Sequence, residues 1–541
     1  MSKIAVIGWD AATFQVIRPL IEAGALPHLG QLMERGAWGS LRSTVHPLSP
    51  TAWASFMTGM NPGKHGIYDF ISLREGGTFQ LTNGGDLRQQ TLWSRLSEAG
   101  RTVAVMNVPM TYPPVAVNGF LIAGMDTPAH ATDYTYPANL RTEIESHFGP
   151  YQIDVRARGL PWQSVAHFTD TYVDRLCASV HQQGHVARYL LEKTELDFLM
   201  VVFTATDRVQ HALGHLLAGP VTPDDGIGRV YRACDAATGQ ILEALDEDWT
   251  IFVMSDHGAC AYRRTFEPNA WLMEQGLLKL RPEPRRGPWD DYLGPASRRL
   301  RRLLGLPPGS PSGLQRFLER IVWEETAAFA LGAFGSIYIN ARDRFPKGSI
   351  TSRDTYRAVC DRIVQGMLAV RDPVNDAPIV RRIYRRDEVY QGPNAHLAPD
   401  LLLETYEDYF VRNNLDHQEG RLTAPAGRYG ARSLAHTGRH TPQGILVAAG
   451  RGIVPVGEQP EAQIVDLAPT ILYLNRLPVP TTMDGHPLLG WLDPAYVAAH
   501  PAQTIQEHLG GAAEGEALGE GYSTRDAAVI EEHLRNLGYL N

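Results

Sequence analysis

The chain has 541 residues, a net charge of -9 and four scattered cysteines without a CxxC pair. Its length allows a large core, either as several domains or as one large α/β domain with insertions. The negative charge argues against general nucleic-acid binding, and the cysteines predict neither a disulfide framework nor a thiolate metal site.

Apolar strands alternate with helical patterns along most of the sequence. The predicted strands cover residues 3–9, 102–107, 120–123, 197–203, 250–254 and 444–449. The predicted helices cover residues 16–22, 28–35, 91–99, 162–196, 228–245, 356–369, 466–474 and 527–537. This alternation is typical of an α/β fold with a mostly parallel sheet, in which ligands bind beyond the carboxyl ends of the strands.

Two stretches interrupt this pattern. Residues 281–313 are rich in Pro, Gly and Arg and predict an insertion that could serve as a lid. Within it, residues 298–304 form a basic amphipathic pattern, which fits a solvated surface helix as well as contact with an anion or a membrane surface. Residues 342–434 predict a second insertion, and residues 510–519 a linker.

These patterns divide the chain into four parts. We expect a first core part at 1–280, an insertion and cap region with interleaved core elements at 281–434, the last core part at 435–500, and a linker with a C-terminal helix at 501–541. The first apolar run lacks the features of a signal peptide, and no run is long enough to span a bilayer. We therefore expect a cytoplasmic protein.

The stretch HPLSPTAWASFMTGMNPGKHGI, residues 46–67, predicts a loop that enters a helix with Ser49 and Thr51 at its entrance. A helix N-terminus offers unpaired N–H groups and partial positive charge, so it suits an anion. A hydroxyl there could attack phosphorus or sulfur once a metal or a base activates it. The alternative is that one of these hydroxyls merely caps the helix.

Acidic and histidine side chains lie at the ends of four predicted strands. They are Asp10, Asp207 with His211, Asp256 with His257, and His436 with His440. Each also has a plain explanation as a helix cap, an exposed i, i+4 pair, a turn residue or a surface-loop residue. Together they place Asp and His ligands, which suit zinc or manganese, at one edge of the sheet. Two such metals about 4 Å apart suit in-line displacement at phosphorus.

These residues carry a resemblance to the type I phosphodiesterase/nucleotide pyrophosphatase family of the alkaline phosphatase superfamily. The matching motifs, in chain order, are Asp10, TGMNPGKHGIYDF, DRVQH, SDHG, GRHTPQGI, DLAPTILYL and MDGHPLL. The resemblance implies an alkaline-phosphatase-like α/β/α sandwich with a mostly parallel central sheet and inserted lid or cap segments. It also implies two divalent metal ions, with zinc expected before manganese.

The resemblance further implies which residues hold the metals. One metal would be held by Asp10, Asp256 and His257 together with the nucleophile Ser49. The other would be held by Asp207, His211 and His440. His440 is preferred to His436 because the family's late ligand has a Gly-x-His setting, and His215 is a weaker candidate on the helical face of His211.

Spacing within the family favours Ser49 over Thr51 as the nucleophile. The family's nucleophile precedes a Thr-Gly pair by about nine residues, and Thr58-Gly59 is that pair here. Pro50 at the first helical position would then make Ser49 the cap residue.

One position departs from the family. The family's asparagine that binds a phosphoryl oxygen falls here at Phe70, so Lys64 or Arg439 is expected to supply that contact.

The resemblance implies a metal-dependent hydrolase of phosphate esters, more a phosphodiesterase than a phosphomonoesterase, with a covalent phosphoserine. A phosphomonoesterase or phosphotransferase on the same site, and a catalytically silent binding protein, are the alternatives. The sulfatase branch is disfavoured because its nucleophile is followed by x-Pro-x-Arg, and SPTAW has neither the Pro nor the Arg in place. The expected partner is a small-molecule phosphate ester.

Overall fold

A computed structural model describes residues 3–156, 164–282, 313–413, 422–428, 435–509, 522–536 and 539. Its centre is a 10-stranded sheet. From one edge to the other the strands are Gly457–Glu458, Ala37–Arg42, Gln443–Gly450, Trp249–Met254, Lys3–Trp9, Phe198–Phe203, Val103–Met106, Gly119–Ile122 and Thr135–Tyr136, and Ala462–Gln463 also pairs with Ala37–Arg42.

The middle of this sheet is parallel. Lys3–Trp9 lies between Phe198–Phe203 and Trp249–Met254 and runs parallel to both. Every residue of the two flanking strands is buried, as expected for strands that are covered on both faces. The predicted mostly parallel sheet is confirmed.

The late strand Gln443–Gly450 differs, because it runs antiparallel to both of its neighbours. Leu446 pairs with Met254 and Gly450 pairs with Thr250. The beginning of this strand therefore lies at the edge where the parallel strands end. Residues that precede it reach the same edge as residues that follow the parallel strands.

Helices cover both faces and give a three-layer α/β/α sandwich. One layer contains Phe14–Glu22, Pro27–Glu34, Leu140–Phe148, Val165–Lys193, Ala205–Leu213 and Gly226–Leu242. The other contains Ser49–Thr58, Pro62–His65, Leu92–Glu98 and Leu467–Leu474. The remaining described α-helices are Pro268–Glu274, Gly313–Arg320, Arg353–Leu368, Arg386–Val389, Pro494–Ala499 and Thr524–Asn536.

The longest described helix shows how the sequence sets these elements. Val165–Lys193 begins after Ser164, whose hydroxyl accepts a hydrogen bond from the His167 N–H at 3.2 Å. This is the usual role of a serine at a helix start. Phe168 and Tyr172, four residues apart, are both buried and lie on the face that packs into the core.

A second, four-stranded antiparallel sheet lies between the two parts of the core sequence. Its strands, in spatial order, are Ala328–Ala330, Ser336–Ile339, Leu401–Thr405 and Val380–Arg385. The other short strands pair as Ile71–Leu73 with Phe79–Leu81, Gly258–Ala261 with Gly438–Thr441, Arg264–Phe266 with Tyr409–Val411 and Thr423–Pro425, Gly427–Arg428 with Ala435–His436, and Val479–Pro480 with Thr504–Ile505. The division at 280, 434 and 500 stays a prediction.

Each predicted strand and helix is found, with ends shifted by at most a few residues. The sequence analysis missed the strand Ala37–Arg42 and the helix Leu140–Phe148. The predicted helix at 298–304 and the linker at 510–519 lie outside the described residues. Among the described helices, none combines the length and apolar character needed to cross a bilayer.

Candidate active site

Ser49 is the first residue of the helix Ser49–Thr58, and Leu48 is its N-cap. The N–H of Ala52 donates to the Leu48 carbonyl at 2.8 Å, so helical hydrogen bonding begins one residue earlier than predicted. The prediction that Ser49 is the cap residue is therefore wrong. Its hydroxyl, instead of capping, lies 3.3 Å from Nε2 of His257.

Thr51, the other hydroxyl at this helix start, is fully buried. Its Oγ1 has no hydrogen-bond partner among the described residues. Two residues along a helix turn a side chain by about 200°, so Thr51 and Ser49 face different directions.

Asp10, Asp256 and His257 form the first ligand group. One ligand atom from each lies within 4.8 Å of the others, and all three side chains are buried. Nε2 of His257 is 3.2 Å from Oδ2 of Asp256 and 4.0 Å from Oδ1 of Asp10. Neither of those two carboxylate oxygens has a hydrogen-bond partner in the described part of the chain.

The remaining atoms of this group are held by fixed donors and acceptors. Nε1 of Trp53 donates to Oδ2 of Asp10 at 3.1 Å, and the N–H of Ala11 donates to Oδ1 of Asp256 at 3.2 Å. Nδ1 of His257 lies 3.1 Å from its acceptor, the Gly258 carbonyl. Such outer contacts orient metal ligands and leave one atom of each free to bind an ion.

Asp207, His211 and His440 form the second group. The helix Ala205–Leu213 brings Asp207 and His211 together one turn apart, with Nε2 of His211 at 3.2 Å from Oδ1 of Asp207. Nε2 of His440 lies 3.1 Å from the same oxygen and 2.9 Å from Nε2 of His211.

The two groups are adjacent. Ligand atoms of Asp207, His257 and His440 also lie within 4.8 Å of one another. The rings of His257 and His440 stack with 3.7 Å between their centres. His257 of the first group therefore lies within ligand distance of two residues of the second group, Asp207 and His440.

The histidine tautomers test whether these residues fit a metal. Nδ1 of His440 donates to the Pro47 carbonyl at 2.8 Å, as Nδ1 of His257 donates to Gly258, so in each neutral ring Nε2 carries a lone pair. These lone pairs face the carboxylate oxygens of Asp207 and Asp256. Two electron-rich atoms this close repel each other unless a proton or a metal ion lies between them. The donor sets therefore fit divalent ions such as zinc.

The pKa values reflect the same crowding. Burial raises the pKa of Asp10 well above its ordinary value, and the charge of Asp256 adds to this effect. Burial raises the pKa of Asp256 to about 7. Burial also opposes ionisation of Asp207, but His211 and His440 hold the pKa of Asp207 well below its ordinary value. Burial lowers the pKa of His440 to about 3, which keeps its ring in the neutral form that binds metals.

A close backbone approach brings His440 to this site. A Cβ on Gly438 would lie 2.1 Å from the carbonyl oxygen of Gln210, so only glycine fits there. The neighbouring Thr437 N–H donates to the His211 carbonyl at 3.1 Å. The strand that carries His440 can therefore lie directly against the helix that carries His211.

The other two histidine candidates have different environments. His436 is buried, so it is not a surface-loop residue. Its Nδ1 lies 3.0 Å from the Tyr262 hydroxyl, and its ring centre is 4.8 Å from that of His211. His215 is exposed, and its backbone N–H donates to the Thr437 hydroxyl at 2.9 Å.

Lys64 and Arg439 both have other partners. The Lys64 ammonium donates to Oδ1 of Asp484 at 2.6 Å and to the Thr482 carbonyl at 2.8 Å. Nη1 of Arg439 donates to Oγ1 of Thr405 at 2.8 Å. A role for Lys64 or Arg439 in substrate binding stays a prediction that these contacts do not support.

The sequence analysis missed a buried ionic chain behind Asp207. Nη1 of Arg208 donates to Oδ2 of Asp207 at 2.6 Å, and its Nε donates to Oδ1 of Asp154 at 3.1 Å. Nε2 of His533, on the C-terminal helix, lies 2.7 Å from Oδ2 of Asp154. The DRVQH motif contains Arg208, but no local signal connects it to His533.

The missed residue nearest to the ligands is Tyr539. Its hydroxyl lies 3.0 Å from Nε2 of His211 and 3.2 Å from both Oδ2 of Asp207 and Nε2 of His440. Its ring packs on Phe70 with 4.6 Å between centres. Phe70, at the position where the resemblance predicts an asparagine, thus packs its apolar ring against Tyr539.

Comparison with solved structures finds three to which this chain is similar. Phosphonoacetate hydrolase from Sinorhizobium meliloti 1021, in complex with phosphonoacetate, aligns with a TM-score of 0.54 at 14% identity over 86% of this chain and 94% of that chain. Wild-type alkaline phosphatase PafA aligns with a TM-score of 0.50 at 14% identity over 91% and 99%. Human ectonucleotide pyrophosphatase/phosphodiesterase 5 aligns with a TM-score of 0.47 at 12% identity over 90% and 98%.

At such identities the first two likenesses show the fold, which is alkaline-phosphatase-like as predicted. No curated protein matches the chain. The family described as type I phosphodiesterase/nucleotide pyrophosphatase matches residues 4–441, which include all the ligand candidates described above. The chain therefore belongs to the type I phosphodiesterase/nucleotide pyrophosphatase family.

Proposed function

We propose that the chain is a metal-dependent phosphodiesterase that acts through a covalent phosphoserine at Ser49. Its family already identifies it as a phosphoric ester hydrolase. The proposal adds the preference for diesters, the serine intermediate and the need for two divalent ions, zinc before manganese. The observation that carries it is the position of the Ser49 hydroxyl, 3.3 Å from Nε2 of His257, which belongs to the first ligand group and lies beside two residues of the second.

Each ligand group would hold one ion. Asp10, Asp256 and His257 would hold the ion next to Ser49. Asp207, His211 and His440 would hold the other. When bound, such ions lower the pKa of a coordinated hydroxyl and stabilise charge on phosphoryl oxygens.

The chain's own residues would position the reaction. The hydrogen bond from Nδ1 of His257 to Gly258 fixes the ring so that Nε2 faces Ser49. Ser49 would release its hydroxyl proton to solvent, and its Oγ would bond to phosphorus as the bond to the leaving oxygen breaks. The leaving alcohol would take up a proton from solvent. Water would then cleave the phosphoserine, restore the Ser49 hydroxyl and release a phosphate monoester.

A substrate panel tests this proposal. The purified chain is incubated with p-nitrophenyl phosphate, bis-p-nitrophenyl phosphate and a p-nitrophenyl sulfate ester, with zinc, with manganese, or with a chelator. We expect the diester to be turned over fastest, and only with metal. Turnover of the sulfate ester alone, or diester turnover that survives exhaustive chelation, would reject the proposal.

A further inference from the structure

Four electron-rich atoms meet at the second ligand group. They are Oδ1 of Asp207, Nε2 of His211, Nε2 of His440 and the phenol oxygen of Tyr539. The last of these belongs to a residue at the far end of the chain, and the function proposed above does not use it.

Five of the separations between these atoms lie between 2.9 and 3.2 Å. The two histidine nitrogens are 2.9 Å apart and lie 3.1 and 3.2 Å from Oδ1 of Asp207. The Tyr539 oxygen is 3.0 and 3.2 Å from the two nitrogens, and 3.2 Å from the other oxygen of Asp207. Ligands about 2.0 Å from a tetrahedral zinc are about 3.3 Å apart. The four residues therefore form a cage of the size that zinc requires.

At most two protons, one on the Tyr539 phenol and one on Nε2 of His211, are available for hydrogen bonds among the four atoms of this cage. A phenol has one proton and can donate to only one of its three neighbours. Nε2 of His440 has no proton to donate, because Nδ1 of His440 donates to the Pro47 carbonyl. Oδ2 of Asp207 already accepts from Arg208 at 2.6 Å. A cation at the centre would satisfy all four groups together.

Tyr539 belongs to the C-terminal tail, of which the structure describes residues 522–536 and 539. This tail contacts the rest of the protein at several points. The Tyr522 hydroxyl donates to the Asp126 carbonyl at 2.6 Å, and Glu531 accepts from the Gly313 N–H at 2.7 Å. The Tyr539 N–H donates to the Leu534 carbonyl at 3.0 Å, and Tyr539 itself is only 3% exposed. The position of the phenol oxygen is thus built by packing and hydrogen bonds along the tail.

We propose that Tyr539 is the fourth ligand of the metal held by Asp207, His211 and His440. This inference rests on the two-metal site of the proposed function. A catalytic zinc usually has three protein ligands and one open position, whereas a zinc with four protein ligands is closed. A phosphoryl oxygen could then reach this metal only as a fifth ligand, which a zinc site can accept in a transition state. The metal beside Ser49 would keep its own ligands.

Zinc binding to the full chain tests this proposal without relying on turnover. The affinities are measured by competition with a chromophoric chelator for the wild type, Tyr539→Phe and Tyr473→Phe. Phenylalanine keeps the ring on Phe70 and removes only the oxygen. We expect Tyr539→Phe to weaken one of two zinc sites by tenfold or more, as even outer-shell changes can weaken a site by about 10- to 100-fold. Tyr473→Phe, which removes a hydroxyl that donates to the His500 carbonyl and not to any ligand or tail residue, should bind zinc as the wild type does.

Two further measurements complete the test: an ultraviolet difference spectrum, and zinc affinities in a variant that lacks the second ligand group. Because bound ligands are deprotonated, zinc should produce the ultraviolet difference spectrum of an ionised tyrosine in the wild type and not in Tyr539→Phe. In an Asp207→Ala chain, which lacks this site, Tyr539→Phe should not change the remaining zinc affinity. Two unchanged zinc affinities in Tyr539→Phe would overturn the role of Tyr539 and leave the proposed function standing. A wild type that binds no divalent metal would instead remove the proposed function itself.

Discussion

The Ser49 hydroxyl lies 3.3 Å from Nε2 of His257, on the first turn of a fully buried helix. His257 follows the strand Trp249–Met254, and the helix brings Ser49 to the same edge of the sheet. This contact distinguishes Ser49 from Thr51, because the Thr51 hydroxyl has no hydrogen-bond partner among the described residues.

Ser49→Ala should abolish most turnover while metal binding persists. Removing a nucleophile costs roughly 10³-fold or more in kcat, whereas the Asp and His ligands are untouched. Steady-state kinetics on bis-p-nitrophenyl phosphate and elemental analysis of the same preparation measure the two effects.

Thr51→Val is the matched control for that experiment, since it removes the neighbouring hydroxyl in a buried position at nearly constant volume. It should keep most of the turnover. Trapping the phosphorylated chain and locating the phosphate on Thr51 by mass spectrometry would contradict the assignment of Ser49.

His440→Ala should remove one of the two proposed metal ions from the chain, and His436→Ala should remove neither. Nε2 of His440 lies 3.1 Å from Oδ1 of Asp207, whereas Nδ1 of His436 is engaged by the Tyr262 hydroxyl. Zinc content per chain after dialysis measures the difference. The opposite pattern would show that His436, not His440, is the late ligand.

The buried, neutral side chain of His65 should make the protein less stable in mild acid than at pH 7. Its Nδ1 accepts from the Ile67 N–H at 3.2 Å, and burial lowers the pKa of His65 to about 3. In the unfolded chain the value is about 6.5, so between these pH values only the unfolded state binds the proton. Stability is therefore complete above about pH 6.5 and is lost as the pH falls. At pH 5 this loss is about 2 kcal/mol.

His65→Asn checks that prediction, because its side-chain oxygen can still accept from Ile67 but does not titrate. The variant should be less stable than the wild type at pH 7, since the shorter side chain leaves a cavity. Its urea midpoint should fall less between pH 7 and pH 5 than that of the wild type. Equal falls in the two proteins would exclude His65 as a source of the acid sensitivity.

The sequence predicted the centre of the fold well, for a physical reason. The strands Lys3–Trp9, Phe198–Phe203 and Trp249–Met254 are continuous apolar runs, and burial on both faces produces such runs. Because parallel strands end at one edge, the residues that follow them could be grouped from the sequence alone. The antiparallel direction of Gln443–Gly450 could not be predicted, since period and hydropathy do not encode direction.

The contacts of the tail were beyond the sequence. Tyr539 and His211 are 328 residues apart, and their meeting depends on the docking of the whole C-terminal helix. The strand Ala328–Ala330 is likewise too short to show a period. The cap assignment of Ser49 failed because the hydrogen bond from Ala52 to the Leu48 carbonyl makes Leu48 the N-cap, a shift of one residue that Pro50 does not determine.

Gly438→Ala should damage the metal site through the backbone alone. The added Cβ would lie 2.1 Å from the Gln210 carbonyl oxygen, which belongs to a helix and cannot move like a side chain. The strand Gly438–Thr441 would have to shift away from that helix, and His440 would move with it relative to Asp207. Overpacking of this kind costs about 1–3 kcal/mol in stability.

The same substitution should weaken zinc binding at the second group by about 10- to 100-fold, the range seen when the support of a ligand is lost. Gly219→Ala is the control, because a Cβ there meets nothing within 4 Å and the backbone is extended. Chelator competition gives the zinc affinities, and urea denaturation gives the stability. If Gly438→Ala binds both zinc ions as tightly as Gly219→Ala, the approach of strand and helix does not set the position of His440.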